Sequence, residues 1–122
     1  MQVYVTKTFR RFQRKERIDD PALRLAIERA EVGLIDADLG QGVIKQRVAR
    51  PGQGRSGGYR TIIAYHSGDR AVFLFGFAKS ALSNIDDATL AHWQAVGSDL
   101  LAASGEAIAA AIAANQLKEV LP

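Results

Sequence analysis

The sequence predicts an α+β fold: a small antiparallel β-sheet, formed by a short N-terminal strand and a three-stranded meander, packed against helices. Three observations support this prediction. Apolar and polar residues alternate in short segments, apolar residues recur at helical spacing on either side of those segments, and 122 residues suffice for one core. We expect residues 1–122 to form a single domain, with the helices on one face of the sheet.

The N-terminal part of the chain predicts a strand followed by two helices. Gln2–Thr6 alternates in the manner of a strand, and a short basic helix follows in which Phe9 and Phe12 lie three residues apart. The run Asp19-Asp20-Pro21 predicts a helix start, because a carboxylate can cap the helix and proline is favoured in the first turn. Gly33 is expected to end this helix.

The first strand of the meander is the most informative for function. Gly40 and Gly42 are expected to open the strand, which continues through VIKQRV at 43–48. Because side chains alternate along a strand, Ile44 and Val48 fall on one face while Lys45 and Arg47 fall on the other.

The next segments predict a loop and two further strands. The run RPGQGRSGG at 50–58 has four glycines and one proline and is expected to be a mobile loop. Residues 59–66 and 70–78 read as strands, joined by a turn at 67–69. In the last strand three phenylalanines are expected to alternate on one face: Phe73, Phe75 and Phe77.

The C-terminal part predicts two helices and a tail. Asp86-Asp87-Ala88 starts a helix that is expected to reach Ala103. Residues 104–122 are expected to form a second, alanine-rich helix and then an extended tail.

Composition argues against several classes of function. The chain has no cysteine, and its two histidines, His66 and His92, lack a spaced partner, so neither a disulfide framework nor a metal site is expected. The N-terminus has no secretory signal and no apolar run is long enough to span a membrane, so we expect a cytoplasmic protein without a membrane partner. Residues 1–60 hold 13 Lys and Arg against 7 Asp and Glu, whereas residues 61–122 hold 3 against 6.

Five cations fall within sixteen residues that contain no acid: Lys45, Arg47, Arg50, Arg55 and Arg60. A hairpin brings such cations together, and they repel one another unless an anion joins them, which favours a phosphate-binding face. Tyr59 and Tyr65 could stack on bases, although tyrosines in strands are also common core residues. A solvated basic hairpin without a ligand is the alternative interpretation.

The segment VIKQRVARPGQGRSGGYRTIIAYHSGDRAVFLFGFAK resembles the RelE/HigB superfamily of type II toxins, and especially its phage-associated, HigB-like branch. The family pattern is a basic strand, a Gly/Arg-rich loop, Gly-Tyr-Arg, two apolar strands around a turn, and a closing lysine. The segments KTFRRFQRKERI and GLIDADLGQGVIKQR also match that branch. The resemblance covers roughly residues 5 to 100.

This resemblance implies a bacterial toxin that enters the ribosomal A site and cleaves messenger RNA without a metal or cofactor, the 2′-hydroxyl attacking the adjacent phosphate. It implies catalytic roles for the residues at the matching positions: Lys45, Arg47, Arg60 and Lys79. The remaining basic and aromatic residues of the segment are expected to bind RNA: Arg50, Arg55, Tyr59 and Tyr65. The expected partners are the ribosome, messenger RNA and a cognate antitoxin, a helix-turn-helix protein from the adjacent gene.

One departure and two alternatives accompany the resemblance. Many relatives carry a further charged pair or arginine after the closing lysine, whereas Ser80–Asn84 carries no charge here. The departure is consistent with a weakened, retuned or inactive enzyme, and His66 could partly compensate as an acid or base. The first alternative is a non-enzymatic, ParE-like toxin of the same fold that inhibits DNA gyrase. The retained basic residues argue against it. The second alternative is a plain RNA-binding module.

Overall fold

The computed structural model describes residues 1–50, 54–78 and 85–122, without the side chains of residues 50 and 54–57. The described elements follow one another as β1 (Gln2–Thr6), α1 (Lys7–Glu16), α2 (Asp20–Glu31), β2 (Ala37–Gly40), β3 (Val43–Arg50), β4 (Gly54–His66), β5 (Arg70–Ala78), α3 (Asp87–Ala102), α4 (Gly105–Ala113) and β6 (Leu117–Glu119). The strands form one sheet in the order β2-β3-β4-β5-β1-β6. The fold is therefore α+β, as predicted.

The two N-terminal helices cover one face of the sheet. The Thr6 hydroxyl accepts a hydrogen bond from the Phe9 amide at the start of α1, and the Asp19 carboxylate accepts one from the Ala22 amide at the start of α2. Gly33 follows α2 with a φ of +86°, a conformation that glycine adopts without strain. Apolar residues of both helices pack against the sheet, and Phe9 and Leu23 are fully buried there.

The two C-terminal helices cover the opposite face, so the prediction of helices on one face only is wrong. Gly97 of α3 lies so close to the sheet that an added Cβ would stand 3.1 Å from Ala64 Cβ and 3.2 Å from a Leu74 methyl. Together with Ile108 of α4, α3 completes a second apolar core. None of the described helices is by itself long and apolar enough to cross a membrane, and α3 with α4 reaches that length only as a pair bent by 117°.

The sheet is larger than predicted and is not purely antiparallel. β1 runs parallel to β5, with Val3 opposite Ala71 and Val5 opposite Phe73. The expected C-terminal tail contains β6, which pairs antiparallel with β1, and the short β2 extends the other edge beside β3. β2 and β6 span only four and three residues, which is too short for an alternating pattern to reveal them.

Two further expectations for the meander are corrected. Residues 54–58, expected in a loop, belong to β4, and Arg50 pairs with Gly54, so only residues 51–53 lie between the strands and outside the description. The phenylalanines of β5 do not share a face, because a bulge in β5, opposite the step from Ile62 to Ile63 of β4, shifts the register. Phe73 lies in the core beneath α1 and α2, whereas the other two phenylalanines lie on the α3 side.

Candidate basic site on the central strands

The pairing of β3 with β4 brings three predicted cations to one sheet face. Arg47 lies directly opposite Arg60, and Lys45 lies opposite Ile62, two residues along the same face. Directly paired residues of antiparallel strands point to the same side, with Cα atoms about 4.5–5.5 Å apart. We call Lys45, Arg47 and Arg60 the basic face. It lies on the side of the sheet that carries α3, beyond the part of the sheet on which Gly97 packs.

Aromatic residues of β5 and α3 border the basic face. Phe75 is opposite Ile62 and Phe77 is opposite Arg60, so two rows of side chains cross β3, β4 and β5. Trp93 of α3 stacks on Phe75 with ring centroids 5.9 Å apart and an interplanar angle of 20°. Sequence reasoning did not assign Trp93 a role, because its distance from the strands in sequence gave no signal of this contact.

The two arginines of the basic face differ in their surroundings. The Arg60 Nη1 atom is buried and has no hydrogen-bond partner among the described residues. The Arg47 side chain is 42% exposed, and its Nε lies 3.6 Å from Asp36 Oδ1. A buried guanidinium nitrogen without a partner is costly to the folded protein, because it has lost water and gained no acceptor.

The two tyrosines lie on the other face of the sheet, away from the basic face. Tyr59 is 2% exposed, its hydroxyl donates to the Glu16 carbonyl at 3.3 Å, and its ring meets Phe12 edge-on at 5.4 Å. This burial argues against stacking on RNA bases and corrects the interpretation made from sequence. Tyr65 is half-buried on the same side, and its hydroxyl donates to the Glu31 carboxylate.

The hydrogen bond between Tyr65 and Glu31 changes the titration of both groups. It is the main cause that holds the pKa of Glu31 below its usual value, with smaller contributions from hydrogen bonds donated by Ser67 and Gly68. The pKa of Tyr65 is raised, first by burial and then by this hydrogen bond. The pair joins α2 to the end of β4, and the hydrogen bonds from Ser67 and Gly68 join Glu31 to the turn that follows.

The remaining candidates lie elsewhere. His66 pairs with Arg70 at the far end of β4, six residues from Arg60, and its Nδ1 is 3.1 Å from Asp69, so it does not join the basic face. The described residues contain no group of three His, Cys, Asp or Glu side chains placed to hold a metal ion. Lys79 and the side chains of Arg50 and Arg55 fall outside the described part of the chain.

A second basic surface lies on the other side of the sheet. α1 packs inward through Phe9 and Phe12 and turns its cations outward. We call the cations that line the surface clefts here the α1 ridge: Lys7, Arg10, Arg11 and Arg14 of the helix, and Arg17 directly after it. The ridge lines two shallow clefts of about 390 and 310 Å³, and Lys118 of β6 contributes to the larger one. This surface fits the general affinity of clustered cations for nucleic-acid phosphates.

A comparison with known protein families identifies the family of this chain. Residues 1–120 match the model described as the RelE toxin of the RelE / RelB toxin-antitoxin system. A comparison with curated proteins found no significant match. RelE toxins belong to type II toxin–antitoxin systems, pair with RelB antitoxins, act on the ribosome and are generally ribosome-dependent mRNA endonucleases. Because the match covers nearly the whole chain, this protein belongs to the RelE toxin family.

Proposed function

We propose that this RelE toxin is an active endoribonuclease that cleaves messenger RNA on the translating ribosome through its basic face, without a protein-bound metal or cofactor. The observation that carries the proposal is the cross-strand pair of Arg47 and Arg60, with Lys45 on the same face. Like charges directly opposite each other on a sheet are destabilising. A bound phosphate would convert this repulsion into two favourable contacts.

The reaction that fits this site is an attack of the RNA on itself. The 2′-hydroxyl oxygen attacks the adjacent phosphorus, the bond from phosphorus to the 5′-oxygen breaks, and the products carry a 2′,3′-cyclic phosphate and a 5′-hydroxyl. Negative charge builds on the non-bridging oxygens during the attack. Arg47 and Arg60 donate hydrogen bonds to these oxygens, because a guanidinium can hold a phosphate through two N–H groups. Lys45 takes the proton of the 2′-hydroxyl as the new bond forms, and water supplies the proton that the departing 5′-oxygen gains.

Base recognition is assigned to aromatic residues on the same face. Trp93 and Phe75 are half-buried and already stacked on each other, beside the row of Lys45 and Ile62. An exposed base can extend such a stack, and base–aromatic stacking is worth about 1–3 kcal/mol per base. This assignment replaces the stacking role expected for Tyr59 and Tyr65, which face the other side.

Lys79 is proposed as a further cation of the site, following the end of β5. The uncharged run Ser80–Asn84 comes next, so one preorganised donor present in many relatives is missing. Loss of one such donor typically costs about 10²–10³ in rate, and we propose correspondingly slower cleavage. Arg50 or Arg55 offsets part of this loss if either closes onto bound RNA.

The partners and setting of the protein follow the same reasoning. We propose a cytoplasmic toxin of the phage-associated, HigB-like branch whose antitoxin is a helix-turn-helix protein encoded beside it. An acidic segment of that antitoxin would neutralise the toxin by covering the basic face, because complementary charges favour such a contact. A complex that leaves Lys45, Arg47 and Arg60 exposed would contradict this mode of neutralisation.

The test is primer extension on ribosomes programmed with a defined messenger RNA. We expect the wild type to cut within translated codons and to leave 5′-hydroxyl fragments, and Arg47→Gln to cut at the same positions about 10²–10³-fold more slowly. Lys15→Gln is the matched control, because it removes an exposed cation of α1 that lies on the opposite side of the sheet and outside the α1 ridge. If the wild type cuts no messenger but inhibits supercoiling by DNA gyrase, the gyrase alternative is correct and the proposed reaction is wrong.

A further inference from the structure

We infer that Asp36 is a positioning residue for Arg47, holding its guanidinium so that the remaining N–H groups face an RNA phosphate. This inference rests on the proposed function, since it assumes that Arg47 contacts the reacting RNA. Asp36 stands just before β2, ten residues before Gln46 in sequence, and neither its position nor its neighbours predicted a role in the site.

The Asp36 carboxylate contacts both the backbone and the side chain of Arg47. Asp36 Oδ2 accepts a hydrogen bond from the Arg47 amide at 2.6 Å, and Oδ1 lies 3.6 Å from Arg47 Nε. Arg29 of α2 contacts both residues. Its Nη1 donates to the Arg47 carbonyl at 2.9 Å, and its Nη2 lies 3.9 Å from Asp36 Oδ2. The carboxylate therefore lies between two arginines and is close to one peptide group of the basic strand.

The core fixes the carboxylate in place. The Asp36 amide donates to the side-chain oxygen of Gln46 at 3.1 Å, and Gln46 is fully buried. The Gln46 amide nitrogen in turn donates to the carbonyls of Ala26 and Leu34, both at 2.9 Å. Because a buried amide with its hydrogen bonds satisfied has one favoured orientation, the backbone of Asp36 is held far more firmly than that of an ordinary surface residue.

Because Asp36 approaches Arg47 at Nε, the two terminal nitrogens of the guanidinium remain available to bind a phosphate. A guanidinium has five N–H donors, of which one is on Nε and four are on the two terminal nitrogens. The acid also places a negative charge beside a pair of opposed arginines, which reduces the repulsion between Arg47 and Arg60 before RNA arrives. Both effects favour a single orientation of Arg47, and orientation of reacting groups contributes directly to rate.

The experiment is a double-mutant cycle between Asp36→Asn and Arg47→Gln, measured by single-turnover cleavage on saturating programmed ribosomes. The asparagine oxygen can still accept from the Arg47 amide, so the variant removes the charge and keeps the backbone contact. We expect Asp36→Asn to slow cleavage by about 5- to 30-fold in the wild type and to have no effect on the residual cleavage of Arg47→Gln. Asp38→Asn, two residues further along, removes the same charge away from Arg47 and is expected to leave the rate unchanged.

Two results would overturn the inference. Equal slowing by Asp36→Asn with and without Arg47 would show a general structural effect, and faster cleavage by Asp36→Asn would show that the acid competes with RNA. A second readout does not depend on catalysis: the Arg47 Nε–H signal in ¹⁵N NMR spectra should exchange with water faster in Asp36→Asn than in Asp38→Asn. Unchanged exchange would refute the contact itself. Normal cleavage by Arg47→Gln, together with faster exchange in Asp36→Asn, would instead locate the failure in the proposed role of Arg47.

Discussion

Two arginines of the sheet should respond in opposite ways to replacement by alanine, because only one of them is satisfied by the fold. Arg60 lies opposite another cation, and its Nη1 is buried without a partner among the described residues. Arg70, at the start of β5, is 8% exposed, and its Nη1 donates to the carbonyls of Leu100 and Ala103 at 2.8 Å each. The first arginine is proposed to serve the reaction, and the second joins the sheet to the end of α3.

For Arg60→Ala the contributions to the free energy of unfolding nearly cancel. Removal of the cation relieves a cross-strand repulsion of about 0.2–1 kcal/mol, and removal of a buried donor without a partner relieves a further cost of about 1–3 kcal/mol. Loss of the apolar stem of the side chain acts in the other direction by about 1–2 kcal/mol. We therefore expect the stability to stay within about 1 kcal/mol or to rise, while the cleavage rate falls about 10²–10³-fold.

For Arg70→Ala the expected signature is reversed. Each hydrogen bond from a charged donor contributes about 1.5–3 kcal/mol, and a cation at a helix C-terminus adds about 0.3–1 kcal/mol. The buried Nε has no partner among the described residues and offsets part of this sum. We expect a net decrease of about 2–4 kcal/mol in unfolding free energy. Cleavage by the folded fraction should be unchanged, because Arg70 lies at the opposite end of β5 from Phe77 and the basic face.

The assays are urea denaturation followed by circular dichroism and single-turnover cleavage at a temperature where both variants are folded. The two variants are controls for each other, because each lacks one arginine of the same sheet. A decrease of more than about 2 kcal/mol in Arg60→Ala would mean that its reduced activity reports on folding and would refute the cancellation argued above. A reduced rate in folded Arg70→Ala would equally contradict the assignment.

Three further predictions concern packing, titration and ribosome affinity. Gly76→Ala places a Cβ 2.7 Å from ring carbons of Phe12 and should cost about 1–3 kcal/mol in urea denaturation, whereas Gly105→Ala meets no atom within 4 Å and should be neutral or slightly stabilising. Tyr65→Phe removes the main cause of the lowered pKa of Glu31, so NMR titration should show that pKa rising toward its usual 4.5. Ionised Glu31 stabilises the wild-type fold above its usual pKa, and this stability is lost as the pH falls through the lowered pKa. The loss of stability between these two pKa values should therefore be smaller in Tyr65→Phe, and the same decrease of stability with falling pH in both proteins would refute this. Two glutamine substitutions in the α1 ridge should make ribosome binding less sensitive to salt. The slope of log affinity against log salt concentration should decrease by about 0.7–0.9 for each phosphate that the ridge no longer neutralises. An unchanged slope would exclude the ridge from the interface.

The placement of the basic face could be predicted from sequence because it depends on the period of a strand alone. Alternation in β3 put Lys45 and Arg47 on one side and Ile44 and Val48 on the other, and the structure has them so. The helix starts were equally local, since the Asp19 and Asp86 side chains cap their helices through the amides three residues later. Such features need only a few neighbouring residues.

The same period of two could also have corrected the stacking assignment. Tyr59 precedes Arg60 on β4, so the two side chains must point to opposite faces of any regular strand. Tyr65 is five positions from Arg60, an odd number that gives the same result across the bulge, which falls on β5 rather than on β4. The aromatic residues that do share the basic face come from other elements. They could be found only once the pairing of β4 with β5 and the packing of α3 were known.

The features that sequence did not reveal all depend on contacts between distant segments. β6 follows a helix and pairs with β1 more than a hundred residues earlier, and Asp36 reaches Arg47 only because Gln46 holds its backbone from the core. Neither contact is visible as a repeating pattern of apolar residues in the sequence, because the segments involved are too short. The sequence likewise provided no indication of a role for Arg70, although it is the one charged residue that is buried among those the structure describes.

The repulsive pair at the centre of the site is tolerable because β4 is buried on both sides. Ile62 and Ile63 are fully buried in different cores, one beneath each pair of helices. Full burial of such side chains contributes about 1.5–3 kcal/mol each, which exceeds the cost of one opposed pair of arginines. The strand cannot twist or slip to separate the charges, because a shift of one residue would exchange the two cores. An anion that bridges Arg47 and Arg60 therefore removes the repulsion between them. Because this repulsion is present only in the folded protein, the anion binds the folded state in preference to the unfolded chain. By the same argument, an anion bound at the proposed site relieves a cost that the cations of the α1 ridge, which can separate in water, do not impose.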